Sequence, residues 1–206
     1  QSSAASDVYK RQVLKRYEDT DGLEVHGYER FVYQHINQQF PADIDYDMSM
    51  MKIYTIDIEV ACENGFPDVQ ASAEEMLCLT IKDFNTKKII TWGTREFTPP
   101  EGVEYRVFWT EQEMLQDFHK WWSDNTPDII TGWNVDQFDI TYLYNRISKL
   151  FSTTIADQLS PWNITTVREW ENFNKKQQAY TLTGVEVVDY LQPVSYTHLR
   201  AHETEL

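Results

Sequence analysis

Pro127 to Phe151 read PDIITGWNVDQFDITYLYNRISKLF, and the change of period within this stretch decides the fold. Asp128 to Trp133 is apolar and β-branched, which predicts a short strand running into a turn. Phe138 to Phe151 then places Ile140, Leu143, Tyr144, Ile147 and Leu150 at helical spacing, which predicts an amphipathic helix. A strand that feeds straight into a helix is a unit of α/β layering. Asp139 stands near the helix start, where the macrodipole favours a carboxylate. Asp136, three residues earlier, is the expected cap.

The same alternation extends to both sides. Met51 to Ala61 (MKIYTIDIEVA) is rich in β-branched and apolar residues and predicts a buried strand. Glu63 to Ala73, with Gly65 and Pro67, predicts a loop. Met76 to Phe84 and Lys88 to Trp92 predict two strands joined by a hairpin turn at Asp83 to Lys87. Tyr105 to Trp109 predicts a further short strand. Thr110 and Glu113 form a capping box before a helix whose apolar face carries Met114, Leu115, Phe118, Trp121 and Trp122. The two tryptophans belong to the core rather than to a stacking platform. Thr153 to Gln178 is polar and irregular, and strands follow at Tyr180 to Gly184 and Val185 to Val188. The order of elements predicts an α/β fold.

The chain has 206 residues and a 41% hydrophobic composition, enough to bury a core. No apolar run approaches the roughly 20 residues of a membrane span. The first twelve residues are polar and lack the apolar stretch of a secretory signal. Cys62 and Cys78 are the only cysteines, which excludes a disulfide scaffold and suits a reducing, cytoplasmic setting. The net charge of −15 argues, by itself, against gripping a phosphate backbone. It leaves room for carboxylates that hold divalent cations, since the metal inverts the local sign.

Asp57 and Glu59 stand two apart in the first strand, so both side chains point to one face. Two acids in a buried strand repel each other and are costly to desolvate, and a cation relieves both costs. Oxygen ligands suit Mg²⁺ or Mn²⁺. The same pair is equally at home as two ordinary acids on a solvent-facing edge. His198 and His202 have a metal-compatible spacing but lie in a tail without pattern. Asn163-Ile164-Thr165 fits a glycosylation acceptor, with nothing to point to secretion.

Taken together, Asp57-Ile58-Glu59 and Gly132-Trp133-Asn134-Val135-Asp136-Gln137-Phe138-Asp139-Ile140 resemble the first two exonuclease motifs of family B DNA polymerases, D-x-E and N-x-x-x-F-D. Gly65-Phe66-Pro67-Asp68 is similar to a segment of the T-even-like bacteriophage branch. Pro127 to Asn134, Tyr142 to Arg146 and Val187 to Leu191 are similar to the family's lead-in, follow-on and next strand. The resemblance spans roughly Tyr17 to Gln192.

It implies a ribonuclease H-like exonuclease fold, with a mixed central β-sheet flanked by helices. It also implies hydrolysis of the 3′-terminal phosphodiester of single-stranded DNA by two Mg²⁺ or Mn²⁺ ions. Asp57 would bridge the ions, Glu59 would bind one and orient the water, and Asp139 would hold the second. Phe66, Asn134 and Phe138 are the implied DNA contacts. Phe66 equally reads as a loop anchor and Asn134 as a turn cap. The family's fourth carboxylate lies in a downstream Y-x-x-x-D motif with no counterpart here; Asp189 follows Val187-Val188 and is not assigned to it. The implied partners are the 3′ end of a primer-template, the remaining polymerase domains of the same chain and a sliding clamp. If phage-encoded, the protein would work in the host cytoplasm.

The expected organisation is a non-native leader over 1–12, the tail of a polymerase amino-terminal domain over 13–50, a truncated exonuclease domain over 51–193 and a non-native tail over 194–206. On that view the isolated chain would cut DNA poorly. The rival readings are a non-catalytic nucleic-acid-binding or scaffold module with the same fold, and a free-standing exonuclease. Intact Asp57, Glu59 and Asp139 speak against the first, and the missing fourth acid against the second.

Overall fold

The computed structural model describes residues 31–43, 45, 47–62, 65–172 and 175–191. The chain divides into two compact units, Gln1–Asp47 and Met48–Leu206. In the first, the described element is helix α1 (Phe31–Gln39). The expected leader over 1–12 and tail over 194–206, with His198 and His202, lie outside the described residues.

The second unit is built on a six-stranded sheet of order β4-β3-β2-β1-β5-β8. Its strands are β1 (Ile53–Val60), β2 (Met76–Asp83), β3 (Ile89–Gly93), β4 (Val103–Val107), β5 (Ile129–Gly132) and β8 (Glu186–Asp189). β1 with β2 and β2 with β3 are antiparallel; β3 with β4, β1 with β5 and β5 with β8 are parallel. The mixed sheet and its flanking helices match the expected architecture. β4 falls two residues earlier than its sequence pattern suggests.

Register explains the core. Ile58 pairs with Leu79 and Leu79 with Trp92, while Ile56 pairs with Ile81 and Ile81 with Ile90. Directly opposed residues share a face, so these six line one side of the sheet. Helices α2 (Glu111–Asp124) and α3 (Thr141–Leu150) complete the core with Met114, Leu115, Phe118, Trp122, Leu143 and Ile147. Thr110 caps α2, its side chain accepting from the Glu113 amide at 3.2 Å. Trp122 sits in the core and Trp121 packs against it, and the Trp122 indole N–H donates to the Leu159 carbonyl.

The stretch expected to be irregular is structured. It forms helix α4 (Thr153–Asp157) and a two-stranded ribbon, β6 (Thr165–Asn172) with β7 (Lys175–Leu182). β6 is largely exposed, so backbone pairing rather than apolar alternation holds the ribbon together. Its base is tied to α3 by the stacked rings of Tyr144 and Tyr180, 3.9 Å between centroids. Among the described residues no helix is long and apolar enough to cross a membrane.

Candidate functional site

β1 turns Ile56 and Ile58 into the core and leaves Asp57 and Glu59 on the opposite, exposed face. Both acids therefore share one face, as alternation requires, but solvent reaches them. The expected burial of this pair is not seen, because the helices cover the other side of the strand. A β-bulge interrupts the β1–β2 register between Glu59 and Val60, where Cys78 pairs with Glu59 and Met76 with Val60. Bulges of this kind re-aim side chains at strand ends.

The buried acid is Asp139, 3% exposed. β1 and β5 pair only over Ile53–Thr55 and Ile129–Thr131, and then diverge. At Gly132 the backbone passes so close to β1 that an added Cβ would lie 2.8 Å from the Ile56 carbonyl oxygen and 3.1 Å from Val135 Cβ. Asn134 then takes a left-handed conformation, φ 55°, which Asn tolerates better than most residues. A π-helical turn, Asp136–Ile140, follows and runs into α3. That turn inserts one residue relative to an α-helix. It brings the Asp139 carboxylate back to β1, where Oδ1 accepts from the Ile58 amide at 3.0 Å.

Asp139 thus reaches the strand at the residue between Asp57 and Glu59. Burial is the largest influence on its carboxyl and pushes the pKa up to about 7. The Ile58 N–H opposes that rise, while the charges of Asp57 and Asp189 add to it. Burial and a neighbouring acid both shift a carboxyl toward its neutral form, and a bound cation shifts it back.

The expected cap of this turn is corrected. The position before the turn is Val135, which has no capping side chain, and the Asp136 carboxylate is instead paired with Arg168 of β6 at 2.5 Å. The carboxylate that serves the turn belongs to Asp189, at the end of β8. Its Oδ1 accepts from the amides of Asn134 (2.9 Å) and Leu191 (2.8 Å), and its Oδ2 from Asp136 (3.4 Å). Local spacing cannot reveal such a cap; only the pairing of Gly132 with Asp189 across β5 and β8 brings it near.

Phe66 is 95% exposed on the loop that follows β1. α3 grips the next part of that loop. Tyr142 donates to the Glu74 carbonyl, Asn145 to Val69, and Arg146 to Ser72 and Ala73. Arg146 also forms a buried pair with Glu111, which in turn accepts from the Met76 amide. Sequence similarity flagged Tyr142 to Arg146 without indicating what these residues hold. Asn134 is half-buried at the elbow, and Phe138 is partly buried against the core with its ring tilted on Tyr142 at 6.0 Å.

Among the described residues no three His, Cys, Asp or Glu side chains stand close enough together to form a ready-made metal cage. The donors at hand are nonetheless all carboxylate oxygens, two of them solvent-accessible and one desolvated. That chemistry fits a hard divalent cation such as Mg²⁺ or Mn²⁺.

Comparison with known proteins follows the same line. Residues 28–200 match the family described as DNA polymerase family B, exonuclease domain. The chain is 30% identical over 206 residues to the DNA-directed DNA polymerase of Escherichia phage RB69, covering 87% of this chain and 23% of that protein. It is 25% identical over 224 residues to the DNA-directed DNA polymerase of Enterobacteria phage T4, covering 95% of this chain and 25% of that protein. It is 33% identical over 108 residues to the DNA polymerase catalytic subunit of Human herpesvirus 7 (strain JI), covering 50% of this chain and 10% of that protein. The chain spans about a quarter of the length of the two phage relatives.

Proposed function

Since this chain belongs to the exonuclease-domain family of the family B DNA polymerases, we propose that it hydrolyses the 3′-terminal phosphodiester of a DNA strand as the proofreading segment of such a polymerase. The observation that carries this reading is the contact of Asp139 with the Ile58 amide, which ties the second motif to the first. Asp57, Glu59 and Asp139 are the residues assigned to hold divalent cations. When bound, two such ions would ease the ionisation of a water and neutralise charge at the phosphate.

The chain's own residues supply the rest. Asp57 and Glu59 lie open to solvent, where a strand end and a water can both reach them. Water attacks the phosphorus, the bond to the 3′ oxygen of the preceding nucleotide breaks, and a 5′-mononucleotide leaves. Phe66 stacks on the unpaired terminal base, using a ring that is exposed among the described residues. Asn134 and Phe138 border the elbow that carries Asp139 and contact the strand beside it. Mispaired ends fray more readily and so enter the site first. The remaining polymerase domains, a primer-template and a sliding clamp are the proposed partners, in the host cytoplasm if the gene is a phage's.

The test is release of label from a 3′-labelled single strand under single-turnover conditions, with Mg²⁺, Mn²⁺ or a chelator. The expected result is slow mononucleotide release that needs a divalent ion and is lost in Asp57→Ala with Glu59→Ala. Strand binding without release in either ion would favour the scaffold module instead.

A further inference from the structure

We propose that Asp189 is a positioning residue, whose buried carboxylate holds the Asn134–Asp136 elbow in the shape that delivers Asp139 to β1. The proposal rests on the reading of Asp139 as a cation-holding carboxylate. Asp189 is 8% exposed and is not one of the acids placed on β1 or the π-helical turn.

A chain that leaves a strand and enters a helix presents its first amides without helical partners. The usual remedy is a capping side chain from the segment itself. Here Val135 cannot provide one, and the Asp136 carboxylate is taken by Arg168. The donors are met from the neighbouring strand. Gly132 and Asp189 are register partners, so the Asp189 side chain stands level with the point where β5 ends. Its two oxygens receive Asn134 and Asp136 on one side and Leu191 on the other. The Tyr190 amide also donates to the Gly132 carbonyl at 2.9 Å, which locks the ends of the two strands together.

The elbow needs this support. Asn134 is held at positive φ, and the turn after it is π-helical, with the Ile140 amide donating to Val135. Both are uncommon conformations that persist where the surroundings over-determine them. Without the Asp189 carboxylate, two sheltered amides lose their acceptor. The elbow can then relax toward an ordinary α-helical start, which would rotate Asp139 away from Ile58. Groups that orient a metal ligand in this way typically change affinity by about 10- to 100-fold when removed.

The experiment compares the wild-type chain with Asp189→Ala, Asp189→Asn and Asp139→Asn. Amide hydrogen exchange is read at Asn134 and Asp136 without metal, and Mn²⁺ affinity by paramagnetic resonance. In Asp189→Ala the two amides should exchange about tenfold faster or more, while Leu79 and Ile81 in the sheet keep their protection. Mn²⁺ affinity should fall about 10- to 100-fold. Asp189→Asn, which keeps one accepting oxygen, should recover part of both.

Unchanged exchange at Asn134 and Asp136 in Asp189→Ala would overturn the proposal whatever the metal does. Mn²⁺ affinity lost as completely in Asp189→Asn as in Asp139→Asn, with the amides still protected, would also overturn it by making Asp189 a ligand. If neither wild type nor variant binds Mn²⁺ but the amides open in Asp189→Ala, the metal reading of Asp139 fails and the anchoring of the elbow stands.

Discussion

Asp139 Oδ1 accepts a hydrogen bond from the backbone amide of Ile58, the residue flanked by Asp57 and Glu59, at 3.0 Å. This contact joins a strand and a helix start that are far apart in sequence. It also removes one carboxyl from water beside another, and that is where the first prediction begins.

Asp139 has a folded pKa of about 7 against an ordinary value of 3.8. The folded state therefore binds the proton more tightly than the unfolded one. The contribution of Asp139 to stability should be fullest below about pH 4 and fall as pH rises toward 7, by up to about 1.4 kcal/mol per pH unit across that window. Asp139→Asn keeps an oxygen for the Ile58 amide and carries no charge. In chelator at pH 8 it should melt above the wild type, and the gap should close by pH 4. Adding Mn²⁺ should raise the wild-type melting temperature at pH 8 and leave Asp139→Asn unmoved. Equal melting temperatures at pH 8 in chelator would refute the assigned burial of charge.

Gly132→Ala places a methyl 2.8 Å from the Ile56 carbonyl and 3.1 Å from Val135 Cβ. Both neighbours belong to packed backbone or core, so β1 and the elbow must part. The expected cost is about 1–3 kcal/mol, read as a melting temperature lower by about 2–4 °C per kcal/mol. An unshifted melt would mean that the strands separate freely at this point.

Arg146→Ala leaves Glu111 charged and buried and frees the carbonyls of Ser72 and Ala73. Removing one partner of a buried pair costs about 3–5 kcal/mol. Urea denaturation should show that loss, and limited proteolysis should begin within the loop between β1 and β2. Replacing both partners, Arg146→Met with Glu111→Leu, should restore much of the stability. A double variant as unstable as the single one would place the cost in the lost loop carbonyl bonds instead.

Phe66 is 95% exposed, so Phe66→Ala should leave the melting temperature unchanged. If its ring stacks on a terminal base, affinity for a short single-stranded oligonucleotide should drop by about 1–3 kcal/mol. Fluorescence anisotropy in low salt reads this directly. Unaltered affinity would return Phe66 to the role of a plain loop residue.

Much of this arrangement is legible in the residues themselves. Met51 to Ala61, rich in β-branched and apolar residues, announces a strand, and Gly132 with the apolar rows after Phe138 announces a strand–turn–helix. What alternation cannot say is which side of β1 the helices cover, so the exposure of Asp57 and Glu59 and the burial of Asp139 emerge only in the fold. The ribbon of Thr165–Asn172 and Lys175–Leu182 was hidden because a two-stranded element with little buried surface needs no apolar period. The cap exchange between Asp136 and Asp189 was hidden for another reason. Asp136 has the right local spacing, but Arg168 takes its carboxylate, and the acceptor comes from a strand more than fifty residues later.

The central claim is that Asp57, Glu59 and Asp139 share divalent cations, and diffraction from a crystal soaked in Mn²⁺ tests it most directly. Anomalous scattering locates the ion without reference to activity. The account predicts a peak on the solvent side of β1, with carboxylate oxygens of Asp57 and Asp139 at about 2.0–2.3 Å and Glu59 beside it. Mn²⁺ found only at other acids, with Asp139 still bonded to the Ile58 amide alone, would contradict it.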